Sequence, residues 1–131
     1  MDNTSKTRLY VAVVVLATAA AAYAAWGVSP ASPSGWELGA FILVAFLLDQ
    51  SSTRLKVSAL GSTSFVIHMA AGILFGGIWG AFVAAVSTAL SVLAVGVPPI
   101  KLVFNPAQRA LSVLVAFTVY QTLGGGVPPA Y

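Results

Sequence analysis

His68 is the residue of this sequence whose type and setting best fit chemistry. It lies within the stretch 64–95, which contains no Asp, Glu, Lys or Arg, so His68 is its only ionisable side chain. An imidazole at membrane depth can ligate a tetrapyrrole, hold a metal ion or relay protons. A metal site and a proton path both need further titratable groups. The chain has no Cys and no second His, and we expect no carboxylate at membrane depth. We therefore expect no metal site.

Two interpretations of His68 stay open. In the first, its imidazole binds a pigment or haem from one side, and Gly72, one helical turn later, leaves room for the flat ring. In the second, a neutral imidazole hydrogen-bonds to a hydroxyl or a backbone carbonyl of a neighbouring helix. The second interpretation is favoured, since nothing else in the sequence points to a cofactor.

A row of small residues runs through the same stretch at a spacing of four. Gly72, Gly76 and Gly80 form two overlapping GxxxG spacings, and Ala84 continues the row. Small residues let helix backbones approach closely, which drives packing where lipid supplies no hydrophobic force. Because Gly76 and Gly77 also fall where a turn is needed, we predict a helical hairpin. We favour packing within the chain over a dimer face.

Hydroxyl side chains are frequent in the same two predicted helices. Such groups either line a small polar cavity or bond to their own and neighbouring helices. The sequence leaves both possibilities open for Ser62, Thr63, Ser64, Ser87, Thr88 and Ser91.

The segment 101–109, KLVFNPAQR, predicts a helix start at a membrane surface. Asn105 is a good N-cap and Pro106 suits the first helical position. Lys101 and Arg109 would lie near anionic head groups. We expect Asn105 and Gln108 to cap this helix or to bridge to the polar segment 50–56.

Composition places the chain among membrane proteins. Of its 131 residues, 59% are hydrophobic and 7% are charged, and the mean hydropathy is +0.95. Soluble domains carry about 25% charged residues. The net charge of +3 comes from six scattered basic residues, which form no nucleic-acid-binding patch. There is no Ser/His/Asp set, no pair of carboxylates and no nucleotide-binding loop, so we expect no enzyme.

Five apolar runs predict a single all-α transmembrane bundle formed by residues 1–131. The first run is longer than a signal-peptide core of 7–15 residues, so we expect it to remain as a spanning helix. Proline and glycine segments separate the later runs. The predicted helices are 9–27, 36–52, 57–75, 78–95 and 106–123.

The basic residues predict the orientation of this bundle. With the N-terminus in the cytoplasm and five crossings, every Lys and Arg falls on the cytoplasmic side, and the C-terminus lies outside. The expected cytoplasmic interface comprises Arg54, Lys56, Lys101, Asn105 and Arg109. We place the protein in a bacterial inner membrane.

One set of motifs resembles a known family. Residues 70–76 (AAGILFG), the run from Lys101 to Gln108 and the closing Leu123-Gly124-Gly125 are similar to the multi-pass N-terminal membrane region of bacterial HD-GYP and GGDEF signalling proteins. The resemblance covers about residues 47–125. It implies a sensory or anchoring membrane module. Those proteins continue into a catalytic domain for cyclic dinucleotides, and residues 1–131 contain none of its catalytic residues.

Two functions follow as expectations. The first is a non-catalytic subunit that packs against the integral membrane proteins of a larger complex, which would be photosynthetic or respiratory. A tetrapyrrole pigment at His68 would suit that setting. The second is a sensory or anchoring module related to the cyclic-dinucleotide signalling proteins. In both, the surroundings are the lipid bilayer and other membrane proteins.

Overall fold

The computed structural model describes residues 2–27, 32–55 and 63–127, and for residues 52–55 it describes the backbone alone. Within this part of the chain the regular structure is entirely α-helical. The five helices are α1 (Asn3–Trp26), α2 (Gly35–Leu55), α3 (Thr63–Phe75), α4 (Gly77–Val95) and α5 (Pro99–Thr122).

Three of these helices are long and apolar enough to cross a membrane. They are α1, α4 and α5, with 24, 19 and 24 residues. At ~1.5 Å per residue, 19 residues span about 29 Å, close to the thickness of a hydrocarbon layer. The apolar helix α3 has only 13 residues. The three long apolar helices indicate a membrane protein.

Local signals explain where several helices begin and end. The carboxylate of Asp2 caps α1, accepting a hydrogen bond from the Ser5 backbone N–H over 2.7 Å. Hydrogen bonding by Ser5 holds the pKa of Asp2 below its ordinary value. The helix thus starts in the polar tail, before the apolar run that begins at residue 9. Helix α4 ends at Val95. Its C-cap residue is Gly96, which has a φ of 72°, in the left-handed region that favours glycine.

The predicted start of the last helix at residue 106 is wrong. Helix α5 begins seven residues earlier, at Pro99, and Pro106 lies inside it. Pro99 suits the first helical turn, where its missing N–H has no partner to lose. The apolar residues from Ile100 to Phe104 then continue the helix. Pro106 cannot donate to the carbonyl of Leu102, and the helix tolerates that loss. The predicted start of helix three, residues 57–62, lies outside the described residues.

Side-chain contacts show that consecutive helices run in alternating directions. Tyr10 stacks near Phe104, with ring centroids 5.6 Å apart, and the Thr18 hydroxyl donates to the Ala107 carbonyl over 2.9 Å. These contacts make α1 parallel to α5. In the same way, Phe41 meets Phe75, so α2 is antiparallel to α3.

Helix α4 is the centre of the bundle, since it packs against each of the other four helices. Its buried residues include Ala81, Val83, Ala84 and Ser87. The alternating directions bring one end of every described helix together: the starts of α1, α3 and α5 and the ends of α2 and α4. Lys6, Arg8 and Lys101 belong to this end, which we call the basic end, and Arg109 lies further along α5, as its eleventh residue.

Candidate functional site

His68 is fully buried between α3 and α4. Its Nε2 lies 3.0 Å from the Ser87 Oγ, and that oxygen lies 3.3 Å from the Ala84 carbonyl. The one hydroxyl proton of Ser87 donates to the carbonyl, so the Ser87 Oγ accepts from an Nε2–H. The Nδ1 atom is then a bare acceptor, and it is buried without a hydrogen-bond partner among the described residues. The arrangement is that of a neutral imidazole joining two helices.

This arrangement does not fit a tetrapyrrole. One ring nitrogen of His68 is engaged by Ser87, and no part of the side chain is exposed. The space beside Gly72 is already filled, because a Cβ there would lie 3.6 Å from Phe117 Cδ2 and 3.9 Å from the Cα of Gly80. A flat macrocycle has no room against this face of α3.

The glycine row brings α3 and α4 into backbone contact. A Cβ built on Gly80 would lie 2.7 Å from the Gly72 Cα and 2.8 Å from the His68 carbonyl oxygen. Gly76 alone separates the helices, and its φ of 107° suits only glycine. Ala84 is fully buried next along the row. The four small residues therefore pack one helix of the hairpin against the other.

A carboxylate that we did not place in the membrane lies in the bundle. Helix α2 continues to Leu55, so Asp49 lies nearly two turns inside it. Asp49 is half-buried against α4 and accepts a hydrogen bond from Ser91 over 3.3 Å. The expectation that no carboxylate lies at membrane depth stays a prediction, and Asp49 is the carboxylate that bears on it. The sequence contains one sign of this contact. Ser91 follows Ser87 by one helical turn, so α4 carries hydroxyl groups on one face that can meet a carboxylate.

Asp49 borders a polar pocket of about 420 Å³ at the basic end of the bundle. The pocket lies where α2 and α4 end and α5 begins. Besides three valines, its lining consists of polar side chains from those three helices, namely Asp49, Gln50, Thr88, Ser91, Asn105, Gln108 and Arg109. We refer to this set as the polar pocket.

The polar pocket gathers some of the residues expected at the cytoplasmic interface and leaves out others. Asn105 and Arg109 line it, and Gln50 and Gln108 lie on the same pocket, while a bridge between the two segments stays a prediction. Lys101 is exposed and is not part of the lining. The side chain of Arg54 and the whole of Lys56 lie outside the described part of the chain.

Thr88 links the polar pocket to the dry interior. It lines the pocket, yet only 7% of its surface is exposed. Its Oγ1 is buried and has no hydrogen-bond partner in the part of the chain that the structure describes. An unsatisfied buried hydroxyl is unfavourable by about 1–3 kcal/mol. Buried hydroxyl groups without a partner are uncommon in proteins. The wall of the polar pocket therefore holds a hydroxyl group that could still form a hydrogen bond.

Two further clefts flank α1, and both are mainly apolar. One, of about 430 Å³, lies between α1 and α5 near Phe117 and Gln121. The other, of about 220 Å³, is lined by Trp26, Trp79 and neighbouring small residues. Among the described residues no group of three or more His, Cys, Asp or Glu side chains comes together as a metal site.

Comparison with known proteins adds nothing to these observations. No family model, no curated protein and no solved structure matches this chain. The resemblance to the membrane region of HD-GYP and GGDEF proteins therefore stays a prediction.

Proposed function

We propose that the chain is a non-catalytic, five-span membrane subunit that packs against other integral membrane proteins and stabilises their complex. Its N-terminus lies in the cytoplasm of a bacterial cell and its C-terminus lies outside. The alternating helix directions support five crossings, because they bring Lys6, Arg8 and Lys101 to one end. Cytoplasmic ends of membrane helices are enriched in such residues.

The exposed position of α1 is the observation that carries the subunit role. Val14 is the only buried residue of this 24-residue helix. The side chains of Leu16 and Tyr23 are 68% and 86% exposed. The helix packs mainly on α5 and only marginally on α4, so most of its surface is left for lipid or for a partner.

Small residues on the exposed side of α1 favour a protein partner. Ala20 and Ala24 are exposed one turn apart, and a pair of small residues at this spacing lets another helix approach closely. The two apolar clefts beside α1 add concave surface of the kind that protein side chains fill.

Gentle solubilisation of the native membrane tests the proposal. We expect the wild-type chain to copurify with other membrane proteins at a fixed stoichiometry. Ala20→Leu should reduce recovery of the complex, because the longer side chain keeps the partner helix away from α1. Ala40→Leu is the matched control, since it makes the same change at an exposed alanine of α2. A monodisperse lone chain, or equal recovery with both variants, would contradict the subunit role.

Cysteine labelling tests the topology separately, because the natural chain has no Cys. A single cysteine at Ser32 should react with an impermeant reagent added outside the cell. A single cysteine at Ser52 should react only after the membrane is opened. Equal outside access at both positions would contradict the five-span arrangement.

The polar pocket favours a second candidate, the sensory or anchoring module. A subunit needs only packing surfaces, whereas a sensor needs a place for a ligand. The pocket, with one carboxylate and one guanidinium in its lining, is such a place. Substitution of the polar side chains of the pocket would distinguish the two functions. A sensor would lose its response, whereas a packing subunit would still form its complex.

A further inference from the structure

We propose that the polar pocket binds a small zwitterion, a molecule that carries an anionic group and an ammonium group. The ligand is either a free solute or the head group of an ethanolamine phospholipid, since both present a phosphate and an ammonium. The proposal does not depend on the subunit role, because it concerns a different surface of the bundle from α1.

The charges of the lining select this class of ligand. Arg109 supplies a planar donor that matches phosphate or carboxylate oxygens, and Asp49 supplies an acceptor for an ammonium group. A purely anionic ligand would face the carboxylate, and a purely cationic one would face the guanidinium. A ligand with both charges complements both sides of the pocket.

The remaining lining supplies neutral hydrogen bonds at the same place. Gln50, Asn105 and Gln108 each carry an amide that can donate and accept. The volume of about 420 Å³ falls within the usual range of ~300–1,000 Å³ for ligand sites. Three helices contribute, so a bound molecule would bridge the ends of α2 and α4 to the start of α5.

Thr88 is an independent sign of a ligand. Its residue is more than nine-tenths buried in the pocket wall, and its Oγ1 lacks a partner. In helices, threonine divides between two χ1 rotamers, so a rotation about χ1 moves the hydroxyl to another staggered position. A polar ligand therefore gives this hydroxyl a hydrogen bond that the described part of the protein does not supply.

The test uses the full chain in nanodiscs of phosphatidylcholine, with calorimetric titration. The probes are O-phosphoethanolamine and its two halves, inorganic phosphate and ethanolamine. We expect saturable binding of the zwitterion and at least tenfold weaker binding of each half. If either half binds as tightly as the zwitterion, the proposal is wrong. This comparison uses only the wild-type protein, so it does not depend on the folding of any variant.

Variants locate the site. Arg109→Gln should weaken zwitterion binding about tenfold, the loss expected for one charge-assisted hydrogen bond, and Asp49→Asn should do the same. The matched control is Lys101→Gln, which removes an exposed charge on the same helix but outside the pocket. Equal loss with Lys101→Gln would mean general attraction to the basic end and would overturn the proposal.

A second arm separates the two sources of the ligand. Nanodiscs containing phosphatidylethanolamine should raise the melting temperature of the wild-type protein, but not that of Arg109→Gln, when the head group is the ligand. If phosphatidylethanolamine leaves the melting temperature unchanged while free O-phosphoethanolamine still binds saturably, the ligand is a solute instead. Absence of both effects would show that the pocket binds no zwitterion.

Discussion

The two halves of α4 pack by opposite means. Its first half lies against α3 at Gly80, where the backbones touch because neither helix carries a side chain at the crossing. Its second half, from Ser87 to Ser91, meets its neighbours through hydroxyl groups. The first surface leaves no space and the second borders a pocket. One helix thus provides both a close backbone contact with α3 and part of the wall of the polar pocket. The two surfaces lie about two helical turns apart along α4.

The largest effect is expected from a substitution at the backbone contact between α3 and α4. Gly80→Ala places a Cβ 2.7 Å from the Gly72 Cα, and a backbone neighbour cannot rotate away. We expect a loss of about 3 kcal/mol in the free energy of unfolding, the upper end for overpacking. Unfolding in mixed detergent micelles measures it.

Gly39→Ala is the control for this change. Gly39 lies in α2 with nothing within 4 Å of a built Cβ. The substitution should therefore stabilise the protein by about 0.5–1 kcal/mol through helix propensity alone. If both alanines had the same effect, the close contact of α3 and α4 would not be what holds the hairpin.

The next largest effect is expected at the fully buried hydroxyl group of Ser87. Ser87→Ala removes the one hydrogen-bond partner that the described residues give the His68 side chain, and both residues are fully buried. We expect a loss of about 1–2 kcal/mol, somewhat above the ~0.6 kcal/mol average for hydrogen bonds between membrane helices. A double-mutant cycle with His68→Leu measures the coupling, and a coupling near zero would contradict the bond.

Thr88→Val should act in the opposite direction. Valine has nearly the shape of threonine but no hydroxyl, so it removes the unsatisfied Oγ1. We expect the ligand-free protein to gain about 1 kcal/mol of stability. The same variant should bind O-phosphoethanolamine several-fold more weakly. A destabilised variant would mean that the Thr88 hydroxyl has a partner in solution.

The smallest effect is expected at Ser91, one turn beyond Ser87. Its hydroxyl donates to Asp49 at the pocket, where water replaces it. Ser91→Ala should therefore reduce the free energy of unfolding by less than about 0.5 kcal/mol. The difference between the two serines measures how the access of water changes along α4 from Ser87 to Ser91, and equal losses would contradict a dry Ser87 beside a hydrated Ser91.

Hydrophobic runs and glycine spacing predicted most of the helices. The predicted 36–52 and 78–95 agree closely with Gly35–Leu55 and Gly77–Val95. The helix starts were harder to predict where more than one residue could cap the same helix. Asp2 starts α1 inside a polar tail. Two adjacent prolines start α5, although Asn105 and Pro106 offered a second plausible cap.

The polar pocket could not be predicted because it depends on tertiary packing. Asp49 lies within the predicted helix 36–52 and within α2, which continues to Leu55, but the sequence does not show which neighbour it faces. Only the direction of α2 beside α4 brings Asp49 to Ser91 and, across the pocket, near Arg109. His68 was predictable as a bonded imidazole, but no sequence pattern identified Ser87 as its partner.

The turn at Gly76 also sets how the hairpin can move. Only one residue joins α3 to α4, so any change in the angle between the two helices would pivot at that residue. At ~1.5 Å per residue, Gly80 lies about 6 Å from the pivot and Ser87 about 16 Å. Opening the hairpin by about 5° would displace Gly80 by ~0.5 Å and Ser87 by ~1.4 Å. Small rotations near the turn are therefore amplified at Thr88, in the wall of the polar pocket.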